Sequence, residues 1–237
     1  MNSKLTLDIW SDMLCPFCFI GKRNLDKALA QFSHAADIDI RWHSYQLAPN
    51  LEYNPDKDAH QALADHKGMS YETAKQLNEQ VVQMAVHSGI TFDIDNMKWA
   101  NSFLAHRLLQ WAKTEGKAHE LEERLFEAVF VKGENISDTK QLINIAKEIG
   151  LSETEVEKAL TGDFFTKEVQ EDISNAQYVG LRGVPHFVIN DQATFSGALS
   201  PDSFLQILVQ YHENWKKNQD ISVGLAGESC DIEGNCE

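Results

Sequence analysis

The sequence predicts an α/β fold in which a β-α-β unit and a β-β-α unit are separated by a large all-helical insertion. Three observations carry this. Apolar residues alternate with polar ones at Leu5, Leu7 and Ile9 and again at Ile38, Ile40 and Trp42, and then recur at helical spacing for about 110 residues. Strand character returns in the short run from Val184 to Ile189. The pair Cys15-Pro16-Phe17-Cys18 stands where the first strand gives way to the first helix.

Each element has a local cause. Leu25, Ala28 and Leu29 repeat at helical spacing after the cysteines, and Pro16 fits the first helical turn, where its missing N–H costs nothing. Ile38–Leu47 forms a second strand, broken by Ala48-Pro49-Asn50. Helices then follow over 56–66, over 70–88 with an acidic first turn and a stop at Gly89, and over 97–114 before Gly116. Four more span 118–130, 137–150, 152–162 and 164–179, the first three of them stopped at or just before a glycine. Val184–Asn190 is a strand, Ala193–Phe195 pairs with it as a hairpin, and Pro201 at the first helical position opens a last helix to about Lys217. Removing the helical block leaves a thioredoxin-like core. The expected division is residues 1–50 and 180–217 as that core, 51–179 as the helical insertion, and 218–237 as a mobile tail carrying a second cysteine pair.

Composition narrows the function. Hydrophobic content of 43% is ample for a core in a chain of 237 residues. The net charge of −15 argues against nucleic acid or an anionic membrane as partner, since both need basic surfaces. No run of 18 or more apolar residues occurs, and the N-terminal residues lack the apolar stretch of a signal peptide, so a cytoplasmic chain is expected. No Walker motif, Gly-x-Gly-x-x-Gly or Gly-x-Ser-x-Gly is present, which weakens nucleotide and serine-hydrolase chemistry. No cofactor or metal is called for, and oligomeric state is not legible.

The Cys-x-x-Cys carries the chemistry. At a helix N-terminus the unpaired amides and the helix dipole stabilise a thiolate. Cys18 lies one turn on, close enough to close a disulfide after Cys15 has attacked a substrate. Structural zinc needs four ligands, usually in compact pairs, and the other cysteines, Cys230 and Cys236, lie at the far end of the chain. Redox chemistry is the better reading. Pro185 is either an ordinary strand-edge proline or a cis-proline facing the cysteines, with the Val184 backbone pairing with substrate; the second reading is favoured. Phe17 flanks the cysteines as apolar docking surface. His186, beside Pro185, is weighed as a neighbour of the thiolate and is more often structural.

In the tail, Gly234 and Asn235 allow Cys230 and Cys236 to close a local disulfide. The entropy gain of roughly 2.4 kcal/mol has no core to stabilise, so a labile redox relay to Cys15–Cys18 is the reading preferred over incidental thiols. From Asn218 to Ser229 the chain spans at most about 40 Å.

Three stretches, Asp8-Ile-Trp-Ser-Asp-Met-Leu-Cys-Pro-Phe-Cys-Phe-Ile-Gly21, Gly183-Val-Pro-His-Phe-Val-Ile189 and Phe195-Ser-Gly-Ala198, together resemble the FrnE-like branch of the DsbA family. The resemblance covers about residues 4–217 and implies a thiol-disulfide oxidoreductase or isomerase with a thioredoxin fold and a helical insertion. It implies Cys15 as attacking cysteine, Cys18 as resolving cysteine and Pro185 as cis-proline. Its partners would be protein or small-molecule disulfides and thiols, glutathione among them. The tail pair also looks like one carried by some FrnE-like proteins. DsbA proteins of the periplasm usually have Pro-His between the cysteines; Phe17 supplies no comparable donor, so a less oxidising pair is expected. The same fold hosts 2-hydroxychromene-2-carboxylate isomerases and kappa-class glutathione transferases, which carry serines at the positions of Cys15 and Cys18. A glutathione-dependent isomerase or transferase is therefore the alternative, and a non-catalytic chaperone or adaptor using the helical cap is a third, weaker one.

Overall fold

The computed structural model describes residues 4–178 and 180–224, with side chains as far as Gln219. A mixed four-stranded sheet holds β1 (Leu5–Ser11), β2 (Ile38–Ser44), β3 (His186–Ile189) and β4 (Ala193–Ser196) in the order β2-β1-β3-β4. β1 runs parallel to β2, with Ile9 opposite Trp42, and antiparallel to β3, with Ile9 opposite Phe187. β3 and β4 form the antiparallel hairpin. Parallel β1 and β2 need a crossover, and α1 (Pro16–Gln31) supplies it. Leu5, Leu7 and Ile9 are fully buried on one face of the central strand, as the alternation predicts.

Between β2 and β3 the described chain carries seven α-helices joined by loops: α2 (Ala59–Lys67), α3 (Tyr71–His87), α4 (Phe103–Thr114), α5 (Ala118–Phe130), α6 (Thr139–Glu148), α7 (Glu153–Leu160) and α8 (Thr166–Tyr178). α9 (Pro201–Gly224) closes the fold against α1. Asp58, Ser70 and Asp138 each accept a hydrogen bond from the backbone N–H three residues on, satisfying a donor that the helix itself leaves unpaired. Gly68 ends α2 at φ +66°, a conformation costly for a residue with a Cβ.

Several boundaries differ from expectation. β2 stops at Ser44, because Asp12 Oδ2 captures the Leu47 N–H and pulls the chain out of the ladder. The helix expected from Met97 begins only at Phe103. Met97 and Ala100 are buried in extended chain, and the Asn101 side chain accepts from Phe103 N and donates to Pro49 O, so residues 97–102 are held by tertiary contacts. The last helix runs on to Gly224, past the expected end at Lys217, so 218–224 are helical rather than tail.

An aromatic cluster fixes the first helix to the insertion. Phe19, directly after Cys18, is fully buried and stacks on Phe126 at 5.1 Å and on Phe92 at 5.8 Å, while Phe92 stacks on Phe130 at 4.9 Å. Such pairs add about 0.5–1.5 kcal/mol each beyond area burial. The cysteine helix is thereby packed against α5.

Candidate active site

Cys15 is the N-cap of α1 and Pro16 its first residue. The approach to it is shaped by Asp12, which is fully buried. Its backbone carbonyl accepts from Cys15 N at 2.9 Å, and its Oδ1 accepts from Leu14 N at 3.2 Å. Its Oδ2, bound to Leu47 N at 2.6 Å, ties the cysteine turn to the chain leaving β2. His106 Nε2 stands 3.6 Å from the same carboxylate. The Cys15 carbonyl accepts from Cys18 N at 3.0 Å, opening the helix. Both cysteines are free thiols, only 3% and 2% exposed.

The Val184–Pro185 peptide bond is cis, and the Val184 carbonyl accepts a hydrogen bond from Cys15 Sγ at 3.4 Å. Chain segments 169 residues apart thus meet at the Cys15 sulfur. Gly21 permits this approach: a Cβ there would stand 3.3 Å from Pro185 Cγ. His186 lies elsewhere. Its Nδ1 bonds Ser196 Oγ at 2.7 Å and its ring packs edge-on beside Trp10, while burial lowers its pKa.

Cys18 has the opposite character to an activated thiol. Burial pushes its pKa well up, and its hydrogen bond to Cys15 and the charge of Cys15 push it further; the Asp12 backbone and the Ser11 hydroxyl pull the other way. Ser11 in turn donates to Glu122 Oε1 at 2.7 Å. Glu122 is fully buried on α5, and its pKa is raised by burial, with the Ser11 bond the largest opposing influence. Ser11 thus links the surroundings of Cys18 to the buried Glu122 carboxyl beneath the site. Sequence reasoning did not single out Ser11, Asp12 or Glu122. A signal existed for the last: Glu122, Leu125 and Val129 share the spacing of α5's buried face, and a carboxylate there demands a partner.

Above Cys15 opens a groove of about 450 Å³ running from Val184 and the half-exposed Phe17 to α2, α3 and the extended chain before α4. Leu63, Met69, Met84, Met97 and Trp99 give it an apolar lining. Lys67, Arg182 and His66 are its cations and titratable groups, and among the described residues no carboxylate lines it, in a chain of net charge −15. Cys230 and Cys236 lie outside the described residues.

A β-α-β and β-β-α sheet with paired cysteines capping its first helix, opposite a cis-proline, defines the thioredoxin-fold disulfide oxidoreductases as the class. Residues 6–209 match the family model of the DSBA-like thioredoxin domain, and the chain belongs to that family of disulfide oxidoreductases and isomerases, which are enzymes. A probable DsbA oxidoreductase from Streptomyces coelicolor is 27% identical, with a TM-score of 0.79 and 98% of each chain covered. The uncharacterized protein YwbO of Bacillus subtilis is 27% identical over 202 residues, 84% of this chain and 92% of its own length. At the level of fold alone, a 2-hydroxychromene-2-carboxylate isomerase matches at 18% identity and TM-score 0.64 over 91% of this chain and 98% of its own. The cytosolic disulfide reductase DsbM of Pseudomonas aeruginosa, also solved with GSH, matches at 19% identity and TM-score 0.57 over 94% and 100%.

Proposed function

We propose that this enzyme exchanges disulfides through Cys15 and Cys18, with the hydrogen bond between Cys15 Sγ and the Val184 carbonyl marking where substrate docks. The Cys15 thiolate attacks one sulfur of a substrate disulfide. The S–S bond breaks, its second sulfur leaves as a thiolate that takes a proton, and a Cys15–substrate disulfide forms. Ionisation of Cys15 also removes the hydrogen that occupies the Val184 carbonyl, freeing that acceptor for a backbone N–H of an extended substrate. Cys18 then passes its proton through the Ser11 hydroxyl to the Glu122 carboxylate and attacks Cys15 Sγ. The substrate leaves reduced, and the enzyme holds a Cys15–Cys18 disulfide. A thiol reductant, glutathione or a protein dithiol, returns two electrons and completes the cycle; with the oxidised enzyme and a dithiol substrate the same steps run in reverse.

Groove chemistry supports the substrate reading. Its apolar lining beside Phe17 suits an extended polypeptide, and the cations without opposing carboxylates suit the two carboxylates of glutathione. In this reading residues 1–50 and 180–217 are the exchange core, and the insertion 51–179 supplies the far groove wall. A cytoplasmic setting favours reduction or isomerisation. The FrnE-like branch rests on the motif resemblance and on the tail pair Cys230–Cys236, proposed as a relay. With α9 helical to Gly224, six residues lead to Cys230, a reach of at most about 21 Å from the helix end.

The second reading, a glutathione-dependent isomerase or transferase, is supported by the likeness in fold to the chromene-carboxylate isomerase. Against it stand Cys15 and Cys18 where those enzymes carry serines. The deciding experiment is insulin reduction with dithiothreitol as reductant. Cys15→Ser should abolish turnover and Cys18→Ser should accumulate mixed disulfides. Full turnover in Cys15→Ser overturns the proposal, and isomerisation or glutathione conjugation surviving in it supports the second reading.

A further inference from the structure

On the side of the molecule where α9 packs against α1, three side chains with metal-ligating atoms converge. His34 follows α1, Asp37 ends a short 3-10 turn (Ala35–Asp37), and His212 lies on α9. One potential ligand atom from each lies within 4.8 Å of the other two. Asp37 Oδ2 is the focus. It stands 2.8 Å from His212 Nε2 and 3.8 Å from His34 Nδ1.

The three differ in freedom. The His212 side chain is 5% exposed and is held between the Phe32 and Trp215 rings, each centred 5.4 Å away. It is a pre-positioned ligand, its rotamer already set by packing. His34 and Asp37 are about half exposed, at 49% and 44%, and can adjust at little cost. His34 now stacks on His212, with centroids 4.5 Å apart and planes 14° apart. Parallel stacked imidazoles cannot both point a lone pair at one ion, so binding requires the exposed His34 ring to turn while His212 stays. A hollow of about 450 Å³ beside the pair gives room for that rotation, and Glu213 and Lys216 also line it.

We propose that His34, Asp37 and His212 bind a divalent transition-metal ion of the zinc class, clamping α9 to the connection between α1 and β2. Two imidazoles and one carboxylate suit zinc, cobalt, nickel or copper and are poorly matched to calcium or magnesium, which prefer oxygen ligands. Ion–ligand distances of about 2.0–2.2 Å place ligand atoms roughly 3–3.5 Å apart, so the 2.8 Å contact of Asp37 with His212 must open slightly and His34 must approach, within the adjustment that the two more exposed side chains permit. Three protein ligands leave the remaining positions to water, and the opening toward the hollow provides them. Because α9 is the element that carries the chain toward Cys230 and Cys236, the ion would fix the base of that segment. The assignment is independent of the exchange chemistry.

The test is calorimetric titration of zinc chloride into the full-length, tag-free, chelator-stripped protein, beside His34→Ala and Asp37→Asn. Both positions are exposed, so both variants should fold, and the four cysteines contribute equally to all three proteins. The wild type should show a binding event that each variant weakens by at least about tenfold. Zinc should raise the thermal midpoint of the wild type alone. Cobalt substitution should add weak visible bands that both variants lose, whereas the intense near-ultraviolet bands of thiolate–cobalt bonds would be common to all. Equal zinc affinity and stoichiometry in the three proteins overturns the proposal and leaves an ordinary histidine–aspartate ion pair.

Discussion

The Ser11 hydroxyl donates a 2.7 Å hydrogen bond to Glu122 Oε1, joining the last residue of β1 to a buried carboxyl 111 positions away. The Ser11 hydroxyl also pulls the Cys18 pKa down, so this one group acts on both the buried thiol and a carboxyl whose pKa burial has raised. A carboxyl with that affinity for protons is suited to take one from Cys18 and return it.

Glu122→Gln keeps an acceptor for Ser11 and removes the proton sink. Resolution of the mixed disulfide should slow by about 10²-fold, at the low end of general-base contributions, while the first attack by Cys15 is unchanged. Stopped-flow separation of the two phases checks this. Equal resolution rates would sink the relay. Because the folded pKa of Glu122 lies above its unfolded value, the native state loses stability as pH rises from the unfolded pKa through the folded one. The same variant should therefore be more stable than the wild type at pH 7 in urea titration.

His43 bridges Asp8 at 2.7 Å and Asp172 at 2.8 Å, tying the sheet to α8. Burial lowers its pKa, but the two carboxylate bonds outweigh this and the net shift is upward; that of Asp172 is lowered, burial notwithstanding, chiefly by its bond to His43. The stability from His43 is complete below about pH 6.5 and is lost as pH rises through its raised folded value. The contribution from Asp172 is present above its unfolded pKa and fades as pH falls through the depressed one. Urea unfolding at pH 6 and pH 9 should show the wild type losing about 1 kcal/mol more than His43→Gln across that range. Parallel losses in the two proteins would show that the bridge contributes nothing to this dependence.

Gly21→Ala places a methyl 3.3 Å from Pro185 Cγ in a packed region. Overpacking of this kind costs about 1–3 kcal/mol. Since Pro185 adjoins the Val184 carbonyl, kcat/KM for insulin should fall several-fold as well. Gly150→Ala is the comparison: nothing lies within 4 Å of its Cβ and its φ is +85°, so it strains the backbone without crowding the site. It should lose stability but retain kcat/KM. If both variants lose kcat/KM equally, packing at Pro185 is irrelevant to the reaction.

Phe17 is 37% exposed and offers the Cys15 sulfur no polar group. The reduction potential should accordingly be more reducing than the roughly −120 mV of the oxidising DsbA pair. Phe17→His should raise it by about 30 mV for each tenfold gain in thiolate stabilisation. Equilibration with glutathione buffers measures both, and a wild-type value near −120 mV would contradict the reading.

Local chemistry was enough to reveal the strand–helix junction at Cys15, the helix stops at glycine and the position of Pro185, because caps, periodicity and proline geometry act over three or four residues. The extended path of 97–102 was not legible, since burial of Met97 and Ala100 and the bonds of Asn101 overrule helical spacing there. Nor was the bond between Ser11 and Glu122. Ser11 and Glu122 read as ordinary polar residues until α5 packs on the cysteine helix through Phe19 and Phe126. The same holds for His34 and Asp37, which meet His212 only when α9 docks on α1. Sequence by itself determined the cysteine pair at the strand–helix junction and the strand-and-helix order around it. Tertiary packing decided which distant side chains face that pair, because burial and long-range contact raise the affinity of Glu122 for protons and orient the groups no local pattern encodes.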